Sequence, residues 1–325
     1  MSDLLVGALS ALLATNQPTA LSNLVKSVTG LSVKLPDKTD PVDVEYHKLM
    51  EADDLAQAEV DDWIKENNAF AAKGAGVDRA TLNTRIEKRF APVRKGYEDF
   101  IERHPNHAGA LLAYGSFLND IAEEEKAHDY WERARLADPT NPAAWNNLAN
   151  WYGHNSPVSK SFAYYEKAIE LDPKESVYWH NLALTTYMFR HDATNYYKID
   201  VQKVFDKAMG FYRKALELDP NNFLLATDYA QCYYGFKPPK TGNEEMDKKA
   251  ELRFWDEAIE AWKKALEIAR DDIERQGVYI HFARIQINAG RLDEARRHLN
   301  AVSNEMLTVT KNNLLKKLSG RETPK

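Results

Sequence analysis

Pro142-Ala143-Ala144-Trp145-Asn146-Asn147-Leu148-Ala149-Asn150-Trp151-Tyr152, followed by Ser161, Tyr165, Ala168 and Pro173, is the stretch from which the fold can be read. Trp145, Leu148, Ala149 and Tyr152 recur at three, four and seven and form the apolar stripe of one helix. Phe162, Tyr165, Ala168 and Ile169 do the same for a second. Ala149, Ser161 and Ala168 are small, as close approach of two helices requires. Pro173 closes the second helix, because the residue before a proline is driven out of helical backbone.

The pattern returns along the chain. Pro105, Pro139 and Pro173 stand 34 residues apart, and Pro220 follows after 47, the same step enlarged. A period near 34 flanked by helical patterning predicts a stack of helical hairpins. Leu111, Tyr114, Gly115, Leu118, Ala127, Trp131 and Ala134 fill the frame before the quoted stretch. Trp179, Leu182, Ala183, Ala208, Tyr212 and Ala215 fill it afterwards. A fourth copy runs through Tyr229, Ala230, Tyr233, Ala258, Trp262 and Ala265, and a fifth through Phe282, Ala283 and Ala289 to Ala295. Taken together, these residues resemble the tetratricopeptide repeat family, closely over 108–302 and loosely over 78–107. In the loose part Tyr97 and Phe100 match, but the branched Val93 stands where a small residue belongs, and Pro92 should start or kink a helix. The resemblance implies an all-α, right-handed α-solenoid of about five hairpins.

Four segments are expected: an apolar N-terminal helical segment and linker over 1–41, a charged helical hairpin turning at Gly74 to Gly76 over 42–107, the array over 108–303, and a capping helix and tail over 304–325. Leu5, Leu9 and Leu12 share one helical face, and Leu21, Leu24, Val25 and Val28 another, so the first segment needs cover from the array, a partner, a second copy or a membrane surface. Met306, Val309, Leu314 and Leu315 would carry the closing helix.

The 325 residues are 44% hydrophobic and 28% charged, enough for a sizeable core. A net charge of −6 argues against nucleic acid, which needs a concentrated basic face. Cys232, the single cysteine, excludes an intrachain disulfide and reads as a small buried filler. The apolar run Leu4 to Leu13 is too short to span a bilayer and carries Asp3 rather than a basic lead-in, which leaves the cytoplasm as the expected compartment.

No enzyme motif is present: there is no nucleophile elbow, no zinc helix, no phosphate loop and no cysteine pair. Lys240-Thr241-Gly242 echoes one element of the hydrolases that open β-lactams, without its Ser-x-x-Lys companion in a supporting context. The nine histidines show no metal pattern. A non-enzymatic interaction scaffold without cofactor is the expectation, binding a protein or peptide in the groove that first helices line. Its candidate residues are Asn147, Asn150, His180, Asn181, Asp228 and Gln231, since a line of amides can hold an extended backbone through both donor and acceptor. The alternative for Asn147 and Asn181 is that they only join neighbouring helices. Within the family, one subset clamps peptide C-termini with asparagines and basic residues. Asn150 and Asn181 match its amides, but Asn146, Leu224 and Asp228 stand at its basic places, which disfavours that ligand. Asn146-Asn147-Leu148-Ala149 also resembles kinesin light chain repeats, over four residues only.

Two repeats are enlarged between their first and second helices, at 189–202 and 235–250. Phe189, Tyr196 and Tyr197 in the first enlargement suit a recognition rim, or else pack the longer loop onto its own hairpin. A structural role is the competing function, with residues 4–28 mediating self-association.

Overall fold

The computed structural model describes residues 40–322 apart from 156 and 239. The N-terminal segment over 4–28 and the end of the tail lie outside the described residues. Within them, every regular element is helical. Two compact units divide at Pro139 and Thr140.

In the first unit, α1 (Pro41–Ala71) is capped by Asp40, whose carboxylate accepts from Val42 N, and α2 (Arg79–Arg103) by Asp78, which accepts from Ala80 N and Thr81 N. The turn between them uses the left-handed backbone of Gly74 (φ +77°). Asn67 braces it, accepting from Val77 N at 2.8 Å. The helix α2 runs on through Pro92 rather than starting there. Val93 is buried without being the point of closest approach. That point is Gly96, where an added Cβ would lie 2.8 Å from Leu49 Cδ1. A small residue is thus present three positions later than the repeat frame expects. A second hairpin, α3 (Ala108–Asp120) and α4 (Glu124–Ala137), closes as tightly, since a Cβ on Gly115 would fall 2.5 Å from Trp131 Cδ1. Rings join the hairpins: Phe90 meets Phe117 edge-on at 5.5 Å, and Tyr97 stacks on Tyr114 at 5.2 Å.

The second unit holds the remaining repeats: α5 (Pro142–His154) with α6 (Val158–Leu171), α7 (Ser176–Met188) with α9 (Val201–Leu218), α10 (Phe223–Gln231) with α11 (Glu244–Glu267), and α12 (Asp272–Asn288) with α13 (Leu292–Asn300). Asn141 caps α5 with Pro142 in its first turn, and Asn222, Asn243 and Asp271 cap α10, α11 and α12. Close packing of α5 on α6 is visible at Ser161, whose hydroxyl donates to Ala149 O at 2.7 Å. Phe162 and Ala168 beside it are fully buried.

Both enlargements are built structure. The first is an extra helix, α8 (Arg190–Tyr197), ended by Lys198 in left-handed backbone (φ 56°). The second is a loop followed by added turns of α11, so 244–250 is helix rather than insert loop. Phe236 pins that loop by stacking on Phe205 at 4.2 Å. The last helix, α14 (Thr308–Glu322), buries Leu314 and Leu318 against Ile280, Ala283 and Ile287. Met306, in the 3-10 turn before the helix, and Val309 are exposed. Cys232 is buried, donates to Asp228 O at 3.3 Å, and has its thiol pushed up to about 12 by that burial.

Candidate functional site

Helix α7 buries Tyr178, Leu182, Ala183, Thr185 and Thr186. Its other face carries Val177, Asn181, Leu184 and Met188, spaced by four, three and four residues and so in line along the helix. Three of the four are apolar and open to solvent: Val177 at 47%, Leu184 at 39% and Met188 at 60% exposure. On α10 the same spacing aligns Leu224, exposed at 64%, with Asp228 and Gln231. On α5 it aligns Ala143, Asn147, Asn150 and His154.

Two side-chain bonds join these three first helices into one face. Asn181 Nδ2 donates to Asn146 Oδ1 at 3.0 Å, linking α7 to α5. His180 Nε2 lies 2.9 Å from Asp228 Oδ2, linking α7 to α10. The amides are therefore not a free row. Asn146, buried where Asn147 is half-exposed, is the hub, and its own amide donates to Asn147 Oδ1 at 3.4 Å. Asn150 accepts from Tyr165 OH of α6. Gln231 is exposed at the end of α10. Each predicted polar residue stands on a first helix; Asn150, His180, Asn181 and Asp228 use part of their hydrogen-bonding capacity between helices, and Asn147 accepts within its own helix.

Phe189, Tyr196 and Tyr197 are half-buried on the other side. Tyr196 and Tyr197 pack on Phe162 at 5.2 and 5.7 Å, and Tyr196 OH donates to Glu166 Oε2 at 2.8 Å. They pack α8 onto the preceding hairpin through α6, and not onto their own hairpin alone.

An open cleft of about 620 Å³ lies between α9, α10 and α11, with Tyr229 and Tyr233 among its walls and Arg253, Asp256, Glu257 and Glu260 at its rim. Its acids are already paired: Glu257 with Arg253, Glu260 with Lys263 and Asp256 with Arg291. Among the described residues no group of histidines, cysteines and acids has the arrangement of a metal site, and no helix is long and apolar enough to cross a membrane.

Residues 142–175 match the family model of the tetratricopeptide repeat, one full repeat that coincides with α5, α6 and the turn into α7. One tetratricopeptide repeat is therefore recognised in the chain, at 142–175. Among the described residues the fold is all-α and built of helical hairpins. A search of curated proteins finds no match. Among solved structures, MamA is 20% identical over 59% of this chain and 95% of its own, with a TM-score of 0.42. YrrB, a tetratricopeptide repeat protein with an unusual peptide-binding site, is 15% identical over 70% of this chain and 98% of its own, with a TM-score of 0.47. PilF of Pseudomonas aeruginosa is 15% identical over 75% and 90%, with a TM-score of 0.47. No functional statement about this chain follows from likenesses of that size.

The exposed apolar residues of the first helices escaped the sequence reading, which weighed polar side chains for a backbone ladder. Val177 and Leu224 occupy one repeat position and Leu184 another, so the repeat frame itself held that signal.

Proposed function

We propose that this protein binds a segment of another protein along the first-helix face of its second unit. The observation that carries the reading is the exposed apolar line of Val177, Leu184, Met188 and Leu224 bordered by Asn147, Asn150, His180, Asn181, Asp228 and Gln231. Apolar side chains left in solvent along one face of successive helices mark a surface that gains free energy when covered. The amide and carboxylate groups beside them fix the register of a bound backbone. No catalytic role is assigned, since nucleophile, base and orienting partner are not assembled around any one point of this face.

The test is quantitative affinity capture from native lysate with the intact chain and with the Leu184→Asp, Met188→Asp variant. Both positions are exposed, so the variant should keep its fold. A protein recovered by the intact chain and lost by the variant supports the reading; identical recovery by both sinks it.

A further inference from the structure

The chain as a whole is acidic, yet its last helix is not. Between Thr308 and Glu322 stand Lys311, Lys316, Lys317 and Arg321 against the single acid Glu322. Two of these cations reach one place. Lys317 Nζ donates to Asn288 Oδ1 at 3.0 Å, and Arg321 Nη1 donates to Ile287 O at 2.6 Å, at the C-terminal end of α12. One turn earlier on α12, Arg284 lies over the ring of Tyr234 at 5.4 Å. Asn288 and Arg284 are four residues apart and share a face with His281. Tyr234 OH lies 3.0 Å from His281 Nδ1, which fixes the ring beneath Arg284.

None of the three cations has an acidic partner among the described side chains. Their mutual repulsion is felt: Lys317 is held below the usual lysine range, first by burial and then by Arg321 and Arg284. Donors are left over as well. The Lys317 ammonium uses one of its three N–H groups on Asn288, Arg321 uses one of five on Ile287, and Arg284 has only the ring. In the repeat frame, Arg284 falls at the position of Asn150 in α5 and Gln231 in α10. It therefore ends the polar border of the first-helix face.

We propose that Arg284, Lys317 and Arg321 form an anion site that receives the acidic side chains of a bound polypeptide, so that the partner segment carries an Asp/Glu run beyond its apolar part. The proposal rests on the first-helix face being the binding surface. Three unneutralised cations on two elements present several charge-assisted donors to one ligand, and guanidinium forks suit carboxylates in particular. Binding there removes the repulsion within the cluster and adds electrostatic steering toward an acidic segment.

The probe is a fluorescein-labelled hexaglutamate peptide, titrated by anisotropy with the full chain, with labelled hexaserine as control. Variants are Arg284→Gln alone and Arg284→Gln with Lys317→Gln and Arg321→Gln. The single variant keeps every bond of α14 to α12 and so tests the charge without loosening the helix; far-UV circular dichroism checks both. Hexaglutamate should bind, hexaserine should not, and the triple variant should weaken binding by about tenfold or more, as loss of charge-assisted hydrogen bonds implies. Raising ionic strength from about 0.05 to about 0.5 M should weaken it as well. Unchanged affinity in the folded variants would overturn the proposal. So would displacement of the peptide by inorganic phosphate at far lower concentration than by free glutamate, which would assign the site to phosphate. The Leu184→Asp, Met188→Asp variant separates the two readings. It should keep hexaglutamate affinity while losing captured partner, whereas a failed anion site leaves that capture difference intact.

Discussion

At Glu123 one carboxylate meets two cations. Arg94 donates to it from α2 and Lys126 from α4 at 2.7 Å, and these bonds, Arg94 first, hold its carboxyl at about 2 against an ordinary 4.5. A lowered folded-state value means a contribution that is full above pH 4.5 and is lost as pH falls toward 2. Arg94 and Glu123 keep 30% and 29% of their side-chain surface in solvent, so screening limits that contribution to about 1 kcal/mol. Arg94→Ala should therefore cost about 1 kcal/mol in urea unfolding at neutral pH, with the deficit shrinking between pH about 4.5 and about 2. A deficit that does not change with pH would show that packing, not charge, is lost. The amide hub makes a second prediction. Asn146→Ala leaves the Asn181 amide without its partner and should cost about 1–2 kcal/mol, whereas Leu184→Ala, on the exposed line, should change stability by less than about 0.5 kcal/mol. Equal costs in urea titration would contradict the division of labour between buried amide and exposed apolar residues. Asn147 and Asn181 were legible in the sequence as a series; Asn146 was not, because a buried partner and an exposed ligand contact have the same residue type and differ only in where the helix turns them.

Helical hairpins here are set by small residues facing large rings. Gly115→Ala forces Cβ against Trp131 and the Ala127 carbonyl, 2.5 and 3.1 Å away, and should destabilise the first unit by about 1–3 kcal/mol in thermal melts. No loss would mean that α3 and α4 can part at little cost. In the second unit Phe162 is fully buried and supports both rings of α8, so Phe162→Ala should cost about 3–5 kcal/mol and expose those tyrosines, read as quenched or shifted fluorescence. Retention of the native signal would show that α8 holds itself. The elements that repeat were legible from residue type and spacing: α5 begins at Pro142, and α6 ends two residues before Pro173. Elements outside the period were not. Pro92 sits inside α2 because tertiary packing of Phe90, Val93 and Tyr97 outweighs one missing hydrogen bond, and the second enlargement became helix because Asn243 caps it with acids in its first turn.

For the whole molecule, a 34-residue period reveals the architecture without naming the ligand, because the period records how hairpins stack and not what their free face touches. What the free face touches depends on residues from distant segments, as Arg284 from a repeat and Lys317 with Arg321 from the closing helix illustrate. Their separation in sequence hid them, and the α12–α14 contact brings them together. The most direct test of the central claim is photocrosslinking with benzoylphenylalanine placed at Leu184, at Leu224, and at Lys214 on a second helix as control, in native lysate. The account predicts one protein crosslinked from both first-helix positions and absent from the control. Crosslinks of equal yield at all three, or at the control alone, would contradict a binding face on the first helices.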